Sequence, residues 1–69
     1  MRTGQVYTET IVHLAPERFA AEVPYQVAIV KLDDGAAITA RIEGERVAIE
    51  DRVIETAVRE GIHFFKKNL

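Results

Sequence analysis

His13 and His63 are the only imidazoles in the chain, and they are the first candidates for chemistry. Imidazoles hold a divalent metal when further ligands join them at close spacing. These two lie far apart with no ligand-spaced motif around them, so neither a metal site nor a metal cofactor is expected. Nucleophilic catalysis needs a hydroxyl or thiol beside a base. The chain has no serine and no cysteine, and its threonines fall in β-branched runs without an obvious histidine neighbour. General acid–base work needs two carboxylates in unlike environments. Glu9, Glu43, Glu45, Glu50 and Glu55 are spread among polar positions in the manner of solvated faces. No catalytic residue is therefore expected and the chain does not read as an enzyme, which leaves binding as its work.

The groups suited to binding are aromatic and cationic. Tyr7, Tyr25, Phe64 and Phe65, with Lys31, Arg41, Lys66 and Lys67, could build a stacking platform for a single-stranded nucleic acid. Against that, a chain with only 7% aromatic residues needs some of these rings to fill its core, and its net charge of -2 is the wrong sign for neutralising phosphates. Phe19 reads either as a plug for the open end of a core or as a contact for a partner. His13 falls where a strand would reach a barrel rim. Lys66-Lys67 suits either phosphate contact or a solvated, frayed tail. The candidate ligand or partner contacts are thus Tyr7, His13, Phe19, Tyr25, Arg41, Phe65 and Lys66.

These side chains have to be carried by short strands. Tyr25–Ile42 holds two apolar runs around Asp33-Asp34-Gly35, and an Asp-Gly step between such runs is a strong hairpin signal because glycine accepts the positive φ of a tight turn. Ala28, Val30 and Leu32 share one side of the first arm, and Ile38, Ala40 and Ile42 share one side of the second, with Thr39 and Arg41 opposite. That is the period of a strand. Gln5–Leu14 is rich in Val, Ile, Thr and Tyr and carries apolar groups on both faces, which predicts a long first strand bent by a bulge. Ala15–Pro24 lies between two prolines and reads as a loop or a turn of helix, with Pro16 able to open that turn. Val47–Glu50 suits a short turn or a bridging strand. Arg52–Glu60 fits either a strand or a helical stripe through Ile49, Val53, Ala57 and Val58. Its β-branched residues, and Gly61 before Ile62–Lys66, favour strand–turn–strand. Five strands in one small domain, residues 1–69, suit an all-β fold, a five-stranded Greek-key barrel of the OB type, because closing the sheet removes exposed edges.

Size and composition agree. A chain of 69 residues holds one small core and buries only about 60% of its unfolded surface. With 48% hydrophobic and 29% charged residues of both signs, it is not a disordered chain. The absence of cysteine removes disulfides and thiolate sites and fits a reducing compartment. No apolar run approaches the ~20 residues of a membrane span and the N-terminus lacks the apolar core of a signal peptide, so no membrane association and a cytoplasmic location are expected.

Two segments add a family resemblance. G-Q-V-Y-T-E-T-I-V-H at Gly4–His13, and F-A-A-E-V-P-Y-Q-V-A-I-V-K-L-D-D-G at Phe19–Gly35, resemble the OB domain of the family called domain of unknown function thirty-five. Val6, Tyr7, Thr10, Pro24, Tyr25, Leu32, Asp33 and Gly35 match its pattern, and Phe65 stands for the Phe near its last strand. The resemblance implies an accessory, non-catalytic role beside thiolases, related condensing enzymes or acyl-CoA hydratases, helping to assemble the complex or the path for acyl-CoA. Family members have also been described as nucleic-acid binders by analogy of fold. A rubredoxin-like zinc ribbon usually precedes the barrel. Here no cysteine exists to build one, and Glu50-Asp51 replaces the glycine often found before the fourth strand. The expected partner is a thiolase-like or acyl-CoA hydratase-like enzyme, with self-association into a homodimer as a further way to cover Phe19 or apolar edges.

Overall fold

The computed structural model describes residues 1–68. Five strands follow one another, β1 (Thr3–Val12), β2 (Tyr25–Leu32), β3 (Ala37–Ile42), β4 (Arg52–Arg59) and β5 (Ile62–Lys67), with a 3-10 helix, Glu17–Glu22, between the first two. They close into a barrel in the order β1-β2-β3-β5-β4. Every neighbouring pair is antiparallel except β3 and β5, which run parallel over three residue pairs, Ala40 with His63, Arg41 with Phe64 and Ile42 with Phe65. The all-β, strand-only reading of the C-terminal half holds, and Glu60-Gly61 is the turn between β4 and β5.

The hairpin forms where the Asp-Gly step places it. Gly35 donates its N–H to the Leu32 carbonyl at 2.9 Å and Leu32 donates to the Ala36 carbonyl at 2.7 Å. Gly35 has φ of 99°, in the region open to glycine. Asp34 Oδ1 accepts the Ala36 N–H at 2.9 Å, and Asp33 accepts from both Thr3 Oγ1 and, at 2.6 Å, Arg52. The turn is therefore tied to the starts of β1 and β4.

Two bulges set the faces. The β1–β2 register shifts between Val6 and Thr8, leaving Tyr7 as the extra residue. Simple alternation puts Thr8, Thr10 and Val12 on the Val6 face. After the bulge it is Glu9 and Ile11 that pair with Ala28 and the buried Gln26, so the inward set changes parity. A second shift between Glu55 and Ala57 makes Thr56 the extra residue of β4 and puts Glu55 opposite Phe65.

The core is Val6, Ala28, Val30, Leu32, Ala40, Ile42, Val47, Val53 and Phe65, with Ile38 packed against it. Period two on β2 and β3 delivers five of these to one interior. Gly4 pairs with Leu32 on one side and Val53 on the other. A Cβ there would stand 2.6 Å from the Lys31 carbonyl oxygen and 2.7 Å from Val30 Cγ1, so only glycine lets β1 lie this close.

Val47–Glu50 is not a bridging strand. The buried Gln26 side chain does the work of a strand ladder, donating to the Val47 carbonyl at 2.8 Å and accepting the Val47 N–H at 2.8 Å. Ala48–Asp51 then turns, closed by Asp51 N–H to the Ala48 carbonyl at 3.0 Å. Glu50, its third residue, has φ of 77°, the region a glycine would favour. The departure of Glu50 from the family pattern thus falls on a left-handed backbone position.

Candidate functional site

Arg41 is the centre of the outer surface of the barrel. Thr39 and Arg41 point away from the core, as the hairpin period requires, yet the Arg41 side chain is only 7% exposed. Its covers come from three elements. Phe64 of β5 is its direct cross-strand partner, and Tyr25 of β2 lies two residues from its other partner, Val27, on the same face. Phe19 reaches over from the 3-10 helix. The guanidinium carbon lies 3.8 Å from the Tyr25 ring centre, 5.0 Å from Phe19 and 5.6 Å from Phe64. Arg18 sits over the Phe19 ring at 4.4 Å, and Arg59 over Phe64 at 4.1 Å. Such stacks exploit the negative faces of the rings and the weak hydration of guanidinium.

Glu22 completes the cage. Arg41 Nη2 donates to Glu22 Oε1 at 2.7 Å, and Glu22 is 51% exposed. No residue of the 3-10 helix is itself buried, and Phe19 and Glu22 are the side chains through which it meets Arg41 on the barrel. Beside the cage lies a groove of about 280 Å³ lined by Phe19, Tyr25, Thr39, Arg41, Gly61 and Ile62. It offers ring faces, one apolar wall and a guanidinium floor.

A second polar cluster closes one end of the barrel. Arg2 donates to Glu55 Oε2 at 2.7 Å and lies 2.9 Å from His63 Nδ1, which is 3.2 Å from Glu55 Oε2. The hydrogen bond from Arg2, then the contact with His63, holds the Glu55 carboxyl at about 2. Glu55 is therefore a paired, mostly covered carboxylate rather than a solvated face. Among the described residues no group of three or more metal-ligating side chains converges.

Of the expected contacts, Phe19, Tyr25 and Arg41 come together. Tyr7 is exposed on the first bulge, His13 lies exposed beyond the end of β1, and Lys66 is exposed on β5, each apart from that cage. Phe65 must be corrected: it is a fully buried core residue and contacts no ligand, because it faces inward opposite Glu55 while its neighbour Phe64 faces out. Lys66 and Lys67 belong to β5 rather than to a frayed tail, and Lys67 Nζ lies 3.8 Å from Asp51. The stacking platform for nucleic acid does not assemble. Of its four aromatics only Tyr25 and Phe64 share the cage, while Phe65 is buried in the core and Tyr7 lies on the β1 bulge. Glu22, Arg18 and Arg59 were not foreseen, since nothing in the spacing of the sequence brings the 3-10 helix and β4 to the same face.

A closed barrel in this strand order, with its site on the outer wall and its interior filled by side chains, defines a small OB-fold domain. Residues 1–61 match the model of the ChsH2 C-terminal OB-fold domain, and the chain belongs to that family. It is 49% identical over 39 residues to a DUF35 domain-containing scaffold protein of Methanocaldococcus jannaschii, a match covering 56% of this chain and 28% of that protein. Among solved structures it is similar to a chain of the Ltp2-ChsH2(DUF35) aldolase, with a TM-score of 0.76 and 27% identity over 99% of this chain and 58% of that one. The chain thus spans less than two thirds of either relative.

Proposed function

We propose that this chain is a non-catalytic accessory OB-fold domain that docks on a thiolase-like or acyl-CoA hydratase-like enzyme and helps to hold its complex together. The observation that carries the proposal is the likeness, over nearly the whole chain, to a chain of the Ltp2-ChsH2(DUF35) aldolase, together with the match to the ChsH2 C-terminal OB-fold model. The scaffold role named for the archaeal relative points the same way. The chemistry of the outer wall agrees. An arginine held between rings, beside a groove of about 280 Å³, suits recognition of a protein surface. Aromatic and arginine side chains are the groups that interfaces favour.

Affinity capture of the tagged chain from its source cell, followed by size-exclusion chromatography, tests this. A thiolase-like or hydratase-like chain is expected to co-elute with it at fixed stoichiometry. Recovery of no such enzyme would sink the proposal. Titrating acyl-CoA into the isolated chain and into the complex then separates a ligand contact from a purely protein one.

A further inference from the structure

The ladder between β3 and β5 is shorter than β3 itself, and the groups left over lie beside the arginine cage. Backbone groups of an antiparallel strand alternate between its two edges. The bond from Leu32 N–H to the Ala36 carbonyl fixes that alternation, so Ile38, Ala40 and Ile42 exchange hydrogen bonds with β2. Ala37, Thr39 and Arg41 turn the other way, and the Glu43 N–H, bonded to the Phe65 carbonyl at 2.9 Å, confirms that odd-numbered residues face β5. The β5 ladder reaches no further than the pair Ala40–His63. The Thr39 N–H and both edge groups of Ala37 are therefore left without a strand partner, on residues that are exposed. This is an open stretch of sheet edge beside the cage.

The outer face next to that edge is cationic at both ends. Lys31, paired with Ala37 and exposed, stands at one end and makes no ion pair among the described residues. Arg41 stands at the other. Only its Nη2 is committed, to Glu22, and no buried side-chain nitrogen or oxygen in the described chain lacks a partner. Its remaining nitrogens therefore keep some contact with water, and Arg41 is among the residues that line the groove. Arg18, also without an ion pair among the described residues, rims the groove through Phe19.

We propose that the edge from Ala37 to Thr39 accepts a short extended segment of a partner protein as an added strand, with an acidic side chain of that segment lodged against Arg41. Strand addition supplies backbone bonds, and side chains on one face supply specificity. Three residues of strand span only about 10 Å, so the backbone alone gives two or three bonds. The carboxylate at Arg41, in a charge-assisted geometry, supplies the rest. The inference rests on the docking role proposed above and names its surface.

The probe is a blocked hexapeptide of alternating glutamate and valine, with the lysine–valine hexapeptide as control, titrated into the whole chain and followed by backbone amide NMR and hydrogen exchange. The acidic peptide is expected to shift the Ala37, Thr39 and Gly61 amides saturably and to slow exchange at Thr39 at least tenfold, and the basic one to do neither. Thr39→Pro removes the edge N–H without touching a barrel bond and is expected to weaken the peptide at least tenfold while leaving the Phe65 amide unmoved. Should that variant fail to fold, exchange at Thr39 in the unaltered chain decides. Unchanged Thr39 exchange in saturating acidic peptide would overturn the inference, and so would equal binding of both peptides. Enzyme that co-elutes equally with Thr39→Pro and the unaltered chain also overturns it, yet leaves the accessory role standing. Failure of the unaltered chain to capture any enzyme, with the peptide still bound at Thr39, removes only the enzyme as partner.

Discussion

The guanidinium of Arg41 lies 3.8 Å from the centre of the Tyr25 ring, on the outside of the barrel, and is nonetheless almost wholly covered. A charge in that position is held by rings and by one half-exposed carboxylate. Breaking the pair with Glu22 strands no buried anion, so the cost of losing Arg41 is mainly lost stacking and packing. Arg41→Ala should lower unfolding stability by about 1–2 kcal/mol. Arg41→Lys should recover less than half of that, since an ammonium lacks the planar face that guanidinium lays on the rings. Urea denaturation of the two variants measures both.

Phe64 and Phe65 are adjacent and should behave oppositely. Phe65 is fully buried, so Phe65→Ala should cost about 3–5 kcal/mol, which in a domain this small leaves little or no folded protein. Phe64 is half-buried under Arg41 and Arg59. Phe64→Ala should cost about 1 kcal/mol and leave a cooperative transition. Far-ultraviolet circular dichroism against temperature distinguishes them.

Glu50 carries a side chain at φ of 77° in the Ala48–Asp51 turn. Its backbone N–H bonds the Val6 carbonyl at 2.8 Å and its own carbonyl accepts from Gln5, so the conformation is fixed from both sides. Glu50→Gly relieves the left-handed strain and should stabilise the barrel by about 1 kcal/mol. A rise in thermal midpoint of a few degrees is the expected readout.

Acid should act first at the barrel end. The Glu55 carboxyl is held at about 2 by Arg2 and then His63, against 4.5 for the free group. A depressed carboxyl contributes stability that is complete above its unfolded value and lost as pH falls toward the folded one. Arg52 and Thr3 lower Asp33 in the same sense. The thermal midpoint should therefore fall between pH 5 and pH 2. Glu55→Gln should lower the midpoint at pH 7 and flatten that decline. A variant whose decline is as steep as that of the unaltered chain would remove Glu55 as its source.

The fold was legible because its signals are local. Alternation over Ala28–Leu32 and Ile38–Ile42, the Asp33–Gly35 turn and the β-branched run into Gly61 each specify an element without reference to the rest. The bulge in β1 was legible too, from apolar groups on both faces. Which of Phe64 and Phe65 faces inward was not, since that follows from the register of β5 on β4, and the bulge at Thr56 sets it. The cage was half legible. Tyr25 and Arg41 lie on the outer faces of one predicted hairpin, whereas Glu22 and Arg59 reach them only through the closure of the barrel and the course of the 3-10 helix.

The parallel join of β3 to β5 has a consequence for how this molecule responds to company. It is a thin join, with three residue pairs and one further backbone bond from Glu43, no more pairs than β1 shares with β4 and far fewer than the eight between β1 and β2. Fluctuations that spring the stave should begin at such thin joins, and Arg41 with Phe64 straddles this one. Any molecule that grips Arg41 therefore also clamps this join, so a bound partner tightens the vessel it rests on, by an amount that grows with its concentration.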